Sequence, residues 1–147
     1  MKKSDSKRQA ILDAAYQLFM TQGFDKTTIS EITRQVGGSK ATIYNHFESK
    51  EELFVECMMA AAEGYITSNI ALFDGSGMDA GAALSEFGAG FLSFATSPTS
   101  VATQRLLVAE ADRSGVGRLF FAKITNLLGF VAAFLTKMME AGVLRTD

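Results

Sequence analysis

Apolar residues recur along most of this chain at intervals of three and four positions, and no segment alternates convincingly with period two. The first spacing is that of an amphipathic α-helix and the second that of a half-buried strand, so we predict an all-α protein. The pattern predicts helices over about residues 7–22, 28–36, 39–45, 78–96, 99–113 and 118–140, with a long fourth helix starting near residue 49. We interpret residues 1–52 as a three-helix head that the fourth helix joins to a helical body, residues 53–147.

Capping and breaking residues mark the predicted helix ends. Thr28 and Glu31 have the spacing of a capping box, in which side chain and backbone satisfy each other's hydrogen bonds, and residues 49–52 repeat that pattern. Gly37 and Gly38 predict a turn, after which Ser39 can cap the third helix. Residues 1–6 predict a polar, mobile arm. Further breaks are predicted at Gly23, residues 74–77, Pro98, residues 114–117 and Gly142.

The charges are unevenly divided, although the net charge is only -2. Residues 1–50 contain eight Lys and Arg against five Asp and Glu, which leaves a net +3. Residues 51–147 contain six basic against eleven acidic residues, which leaves a net −5. A basic head on an acidic body suits a module that contacts DNA, joined to a body that does not.

Histidine and cysteine occur once each, which limits the chemistry available. Cys57 cannot form an internal disulfide, and we expect it to lie buried on the inner face of the fourth helix. His46 and Cys57 stand on different predicted elements and no zinc-like spacing occurs, so we expect neither catalysis nor a cofactor. No apolar signal-peptide core follows the basic start, and Pro98 interrupts the longest uncharged run, residues 87–104. We therefore expect a cytoplasmic protein that does not span a membrane.

The third predicted helix has the residue pattern of a helix that reads duplex DNA. A helix in the major groove needs an apolar inner face and short polar or basic side chains on its outer face. Ile43 and Phe47 supply the inner face. Lys40 can reach a guanine edge or a phosphate, and Tyr44 a phosphate oxygen. The candidates on this helix are Ser39 at its cap and the outward residues Lys40, Ala41, Thr42 and Tyr44.

Other head residues are placed to hold DNA phosphates. Lys50 and the amides at the start of the fourth helix predict an anion site, because the first N–H groups of a helix lack partners within the helix. Thr28 could act similarly at the start of the second helix, and His46 could contact a phosphate or pack at its helix end. The basic residues nearest the N-terminus could follow the DNA backbone or enter a minor groove; they are Lys2, Lys3, Lys7 and Arg8.

Residues 7–54 also contain a series of motifs at fixed spacing. They are Ile11-Leu12, Ala14-Ala15, Leu18-Phe19, Gly23-Phe24, Thr27-Thr28-Ile29, Ile32, Gly37, Ser39, Thr42-Ile43-Tyr44, His46-Phe47, Ser49-Lys50-Glu51 and Leu53. Through these residues the segment closely resembles the DNA-binding domain of TetR-type transcriptional regulators. The resemblance implies a helix-turn-helix head whose DNA-facing positions are Thr28, Lys40, Thr42, Tyr44, His46 and Lys50.

This chain departs from the family pattern within the helix-turn-helix. Thr33 and Val36 each stand where the family usually has alanine. Gly38 stands where the family usually has an apolar residue, so the turn loses a core side chain and becomes looser.

The resemblance also implies that the body binds a small apolar or amphipathic molecule and transmits that event to the head. Residues 105–111 are similar to a helix found in one broad subset of family bodies. Arg105, Glu110 and Asn126 are candidate polar groups for orienting such a molecule. The candidate ligand-binding residues are Phe87, Phe91, Phe94, Gln104, Leu107, Phe121, Phe130 and Phe134.

The resemblance further implies a homodimer on a palindromic operator in double-stranded DNA, with a repressor favoured over an activator. Family bodies usually continue for two more helices that pair between subunits, whereas the sequence given ends at Asp147 soon after the seventh helix. How the chain pairs without them stays open. The alternative to a regulator is a small-molecule or lipid-binding helical module with weakened or lost DNA binding.

Overall fold

The computed structural model describes residues 3–70, 79–113 and 115–145, and within these ranges the chain forms helices and no strand. The all-α prediction is therefore confirmed. The helices are α1 (Lys3–Lys26), α2 (Ile29–Val36), α3 (Lys40–Tyr44), α4 (Lys50–Ile70), α5 (Ala80–Ala95), α6 (Pro98–Glu110) and α7 (Val116–Glu140).

Helix α1 begins earlier than the sequence pattern predicts. It starts at Lys3, so the predicted mobile arm is wrong for residues 3–6, while residues 1 and 2 lie outside the described chain. Asp5 lies in the first turn, where a negative charge favours a helix because the N-terminal amides carry partial positive charge. The helix is kinked at Gly23, whose φ of 82° and ψ of 175° are not helical, and it continues to Lys26.

Helices α5 and α6 meet at the predicted proline break. Helix α5 ends at Ala95, and Pro98 is the first residue of α6, where a proline is favoured because no helical hydrogen bond needs its missing N–H. The Ser97 hydroxyl accepts from the Ser100 amide at 3.3 Å and caps α6, which the sequence reading missed. The predicted loop over 74–77 and the predicted fifth-helix start at Met78 lie outside the described residues.

The chain divides into two compact units, residues 1–60 with 102–120 and residues 61–101 with 121–147. The predicted domain boundary between residues 52 and 53 stays a prediction. The first unit has an aromatic centre in which the Phe54 ring lies edge-on to Phe19 at 5.0 Å and to Phe24 at 5.1 Å. Cys57 is buried beside it as expected, and burial raises the pKa of its thiol. The other apolar side chains buried in residues 1–60 of this unit are Ile11, Leu12, Ala15, Ile29, Ile32, Ile43, Phe47, Leu53, Val55, Met58 and Met59.

Residues 102–120 also belong to the first unit. Leu107 and Val116 are buried, and the Tyr16 hydroxyl lies 3.1 Å from the Thr103 hydroxyl. The Arg113 guanidinium donates to the Asp25 carboxylate, and this hydrogen bond, together with the charge of Asp25, raises the pKa of Arg113. These two polar contacts join this segment to α1.

The second unit has its own aromatic cluster, composed of Tyr65, Phe87, Phe91 and Phe94. The Tyr65 ring stacks on Phe94 with centroids 5.3 Å apart and rings 12° from parallel, and its hydroxyl donates to the Phe87 carbonyl at 3.1 Å. Gly90 leaves room for this phenol, since a Cβ there would overlap the hydroxyl. Lys123 pairs with Glu63 at 2.6 Å in the same unit.

Helix α7 is unusually apolar for its exposure. Phe121 is 70% exposed and Phe130 56%, whereas Phe134 on the same helix is buried. Among the described helices, α7 is long and apolar enough to cross a membrane, a test that rests on length and composition alone. Apolar helices of proteins outside membranes pass the same test, so it gives only weak evidence for a membrane.

Candidate nucleic-acid interface

Helix α3 separates an apolar inner face from a polar outer face, as the sequence pattern predicts. Ile43 is 1% exposed. Phe47, which follows α3 three residues after its last residue, is 2% exposed. Lys40 and Ala41 are exposed, and Tyr44 keeps 49% of its surface although it is an aromatic residue. The exposure of Tyr44 places it on the outer face of α3, where the sequence pattern predicts it.

The start of α3 is held by a reciprocal cap between Ser39 and Thr42. The Thr42 amide donates to the Ser39 hydroxyl at 3.3 Å, and the Ser39 amide donates to the Thr42 hydroxyl at 3.1 Å. Ser39 is therefore the predicted cap, whereas the structural role of Thr42, predicted only as a DNA-facing residue, was missed. A threonine can take the place of the Glu or Gln usual in a capping box because its hydroxyl oxygen accepts a hydrogen bond.

The predicted capping box opens α2. The Thr28 hydroxyl accepts from the Glu31 amide at 3.2 Å, and the Thr28 amide donates to the Glu31 carboxylate at 2.9 Å. The Thr28 hydroxyl also donates to that carboxylate at 2.9 Å. The bond from the Thr28 amide and, with a smaller effect, the bond from its hydroxyl hold the pKa of Glu31 below its ordinary value. Thr28 is exposed, so its outer side faces solvent at the start of the helix.

The start of α4 differs from the predicted capping box. The Ser49 hydroxyl accepts from the Glu52 amide at 3.0 Å, but the Glu52 carboxylate accepts from the amide of Glu48 instead of that of Ser49. Lys50 is half-buried, and its ammonium lies 4.2 Å from the centroid of the Phe24 ring. Lys50, the residue predicted to bind a DNA phosphate, thus makes a cation–π contact with Phe24 of the head.

Two further basic residues of the head bind protein groups. The Lys7 ammonium donates to the carbonyls of Val36 and Gly37 at 2.5 Å and 3.0 Å. The Arg8 guanidinium pairs with Glu56 at 2.7 Å and lies 5.0 Å from the centroid of the Phe47 ring. Both residues were predicted only as DNA ligands, because their partners in the protein are 29 or more positions away and leave no local signal. His46 is half-buried next to Phe47, with ring centroids 6.3 Å apart.

The residues predicted to bind a ligand fall into both units. Phe87, Phe91 and Phe94 come together in the aromatic cluster, which also contains Tyr65, a residue outside the predicted ligand-binding set. Phe134, Phe121 and Phe130 belong to the same unit, the first buried and the others exposed. Gln104, which is exposed, and Leu107, which is buried, belong to the first unit. Of the polar candidates, Arg105 and Asn126 are exposed and Glu110 is half-buried.

A capped helix pair, a glycine turn and an outward polar face on the second helix of the pair define a helix-turn-helix DNA-binding domain. Comparison with known proteins assigns that domain to a family. The signature of the "Bacterial regulatory proteins, tetR family" matches residues 11–57, and that of the "AefR-like transcriptional repressor, C-terminal domain" matches residues 82–147. The chain belongs to the TetR family, whose members are transcriptional regulators and not enzymes.

Individual relatives agree with this assignment. The HTH-type transcriptional regulator AcrR of Shigella flexneri is 45% identical over 49 residues, which are 33% of this chain and 23% of that protein. A TetR-family regulator from Mesorhizobium loti superposes with a TM-score of 0.71 at 27% identity, covering 97% of this chain and 72% of its own. The flavonoid-responsive regulator FrrA superposes with a TM-score of 0.67 at 29% identity, covering 97% and 73%. The segment that matches the curated relatives in sequence spans about a quarter of their length.

Proposed function

We propose that this protein is a sequence-specific DNA-binding transcriptional repressor that acts in the cytoplasm as a homodimer and is released from a palindromic operator by a small apolar or amphipathic effector. The observation that carries the proposal is the outer face of α3. Lys40, Ala41 and Tyr44 are exposed there while Ile43 and Phe47 pack inside. Such a face can enter the major groove without disturbing the core.

The test of DNA recognition is operator selection from a random duplex library, followed by titration of the selected and a scrambled duplex at several salt concentrations. We expect the affinity for the selected duplex to exceed that for the scrambled one by at least about 10³-fold. Tyr44→Phe removes one phosphate contact and should weaken both complexes, whereas Lys40→Gln should also relax sequence preference. Lys137→Gln on α7 removes the same charge far along the chain and serves as the control.

The alternative function gives a different result in the same titration. The support for a helical module that binds small molecules and has lost DNA recognition is the glycine at position 38, where the family usually has an apolar residue. Such a module would bind both duplexes equally and weakly, with the steep salt dependence of nonspecific charge attraction. Equal affinity for the selected and scrambled duplexes would therefore refute the regulator and favour this alternative.

The aromatic cluster of the second unit supports the effector part of the proposal. Tyr65 and Phe94 stack, as do Phe87 and Phe91, whose rings are 6.3 Å apart and 7° from parallel. A planar or apolar molecule could replace one of these rings as a stacking partner. The flavonoid response of the relative FrrA makes a flavonoid a reasonable first probe.

The effector is tested by adding quercetin, and separately palmitate, to the preformed operator complex. Release of the duplex by one probe supports the proposal, since a ligand shifts an equilibrium only when it binds one state better. Phe91→Ala should abolish that response without changing operator affinity in the absence of the probe. Leu92→Ala, at the next and more exposed position of α5, is the control. A probe that binds but leaves operator affinity unchanged would contradict the mechanism.

The apolar surface of α7 supports a homodimer. Phe121, Leu128 and Phe130 are each more than half exposed, and a second subunit could cover them. Light scattering at several concentrations, with and without the selected duplex, should give the mass of two chains. A monomer on a half-site at every concentration would refute this part of the proposal.

A further inference from the structure

The orientation of α3 depends on groups outside that helix. It has five residues, Lys40–Tyr44, so its own backbone bonds make only about one turn. The turn before it consists of Gly37 and Gly38, with φ of 72° and 98°. Two successive glycines allow many backbone conformations, so the turn alone does not hold α3 at one angle to α2.

Lys7 binds at the start of this turn. Its ammonium donates to the carbonyl of Val36, the last residue of α2, and to that of Gly37. The final carbonyls of a helix lack hydrogen-bond donors within the helix and carry partial negative charge. A lysine ammonium there supplies both a donor and a positive charge. The two carbonyls belong to the peptide units on either side of the Gly37 Cα, so one side chain restrains the backbone where the direction of α3 is set.

Arg8 binds beyond the other end of α3. Its guanidinium lies over the ring of Phe47 and pairs with Glu56 of α4. Phe47 is buried three residues after Tyr44, where the chain leaves α3. Consecutive basic residues of α1 therefore contact the chain just before and just after α3.

We propose that Lys7 is a positioning residue for operator recognition: it orients α3 through the Val36 and Gly37 carbonyls and does not bind a DNA phosphate. The inference rests on the proposed function, in which α3 reads the operator. A lost phosphate contact weakens all duplexes alike and lowers the salt slope by about one unit, whereas a misoriented α3 weakens the selected duplex alone. These two signatures separate the roles.

The experiment compares Lys7→Met with the unmodified chain on selected and scrambled duplexes over a range of salt. Methionine keeps an unbranched apolar stem and removes the three N–H donors. We expect about tenfold weaker binding to the selected duplex, the loss typical of one base contact, with scrambled-duplex affinity and its salt slope unchanged. An unchanged urea midpoint, followed by circular dichroism, shows that the variant is folded. Lys7→Arg, which can still donate to both carbonyls, should restore most of the selectivity.

Two controls make the outcomes distinct. Lys137→Met carries the same substitution on α7 and should change neither affinity, and Lys40→Met, on α3 itself, reports whether that helix reads the operator. If the unmodified chain has no sequence preference, the proposed function fails. If Lys40→Met reduces selectivity and Lys7→Met does not, the positioning role of Lys7 fails. If Lys7→Met weakens both duplexes equally and lowers the salt slope by about one, Lys7 is a phosphate ligand and the inference is overturned.

Discussion

Replacing Gly38 with alanine places a methyl group against the hydroxyl that caps α3. A Cβ built at Gly38 lies 2.9 Å from the Thr42 Oγ1 atom, closer than such atoms normally approach. Moving that oxygen away costs free energy, because it accepts a hydrogen bond from the Ser39 amide at 3.1 Å. The φ of Gly38, 98°, is also one that residues with a side chain rarely adopt.

The expected loss of stability follows from these two terms. A positive φ outside the range allowed for alanine costs about 1–3 kcal/mol, against which a less flexible unfolded chain returns about 0.4–1 kcal/mol. Displacing Thr42 weakens its hydrogen bond from Ser39, which contributes about 0.5–1.5 kcal/mol. We therefore expect Gly38→Ala to lower the free energy of unfolding by about 2–3 kcal/mol.

Gly37 is the matched control, because it separates the two terms. Its φ is also positive, 72°, but a Cβ there meets nothing within 4 Å. Gly37→Ala should therefore show the backbone term alone, about 1–2 kcal/mol. The difference between the two variants isolates the contact with Thr42.

Urea unfolding followed by circular dichroism measures both variants. At an ordinary slope for a small protein, the midpoint of Gly38→Ala should lie about 0.3–1 M below that of Gly37→Ala. A midpoint for Gly38→Ala equal to or above that of Gly37→Ala would refute the reasoning about Thr42. Stabilisation by Gly37→Ala would refute the backbone reasoning as well.

Three further predictions concern the first unit. Phe54→Ala removes the ring at the centre of the aromatic core and should lower the free energy of unfolding by about 3–5 kcal/mol, and a loss below about 1.5 kcal/mol in urea would contradict that packing. The Cys57 thiol, buried and with a raised pKa, should react with a disulfide reagent at least ~100-fold more slowly in the native chain than in guanidinium, so equal rates would refute its burial. The pKa of Glu31 is lower in the folded chain than in the unfolded chain. The bonds between Glu31 and Thr28 therefore stabilise the fold fully at pH values above the ordinary pKa of 4.5, and this stabilisation is lost as the pH falls through the native pKa. The stability difference between the unmodified chain and Thr28→Ala should therefore shrink in acid, and an NMR titration should show the Glu31 pKa rising in that variant.

The helices and the inner faces of the head were predictable because their causes are local. The caps at Thr28 and Ser39 use residues three positions away, and the spacing of Ile43 and Phe47 gives the packed face of α3 directly. The boundary at Lys3 was less predictable because the polar residues that follow it can lie inside a helix or outside one. The boundary at Pro98 was less predictable because a proline can begin a helix as readily as lie outside one.

The candidate site was predictable in its residues but not in their partners. Lys40 and Tyr44 are exposed as the pattern indicates, whereas Thr42 belongs to a reciprocal cap. Lys7 and Arg8 have the composition of DNA ligands, and only the folded chain shows that their donors bind carbonyls, a carboxylate and an aromatic face.

The sequence by itself determined the helical class, the family and the residues that α3 turns outward, because each depends on spacing within one helix or one turn. The tertiary structure decided how the first unit is held together. The Lys7 ammonium meets a carbonyl 29 positions away, Arg8 meets Glu56 at 48 and Tyr16 meets Thr103 at 87. Periodicity carries no information about such pairs, because the partner of a long polar side chain is chosen by where packing brings other segments and not by its neighbours along the chain.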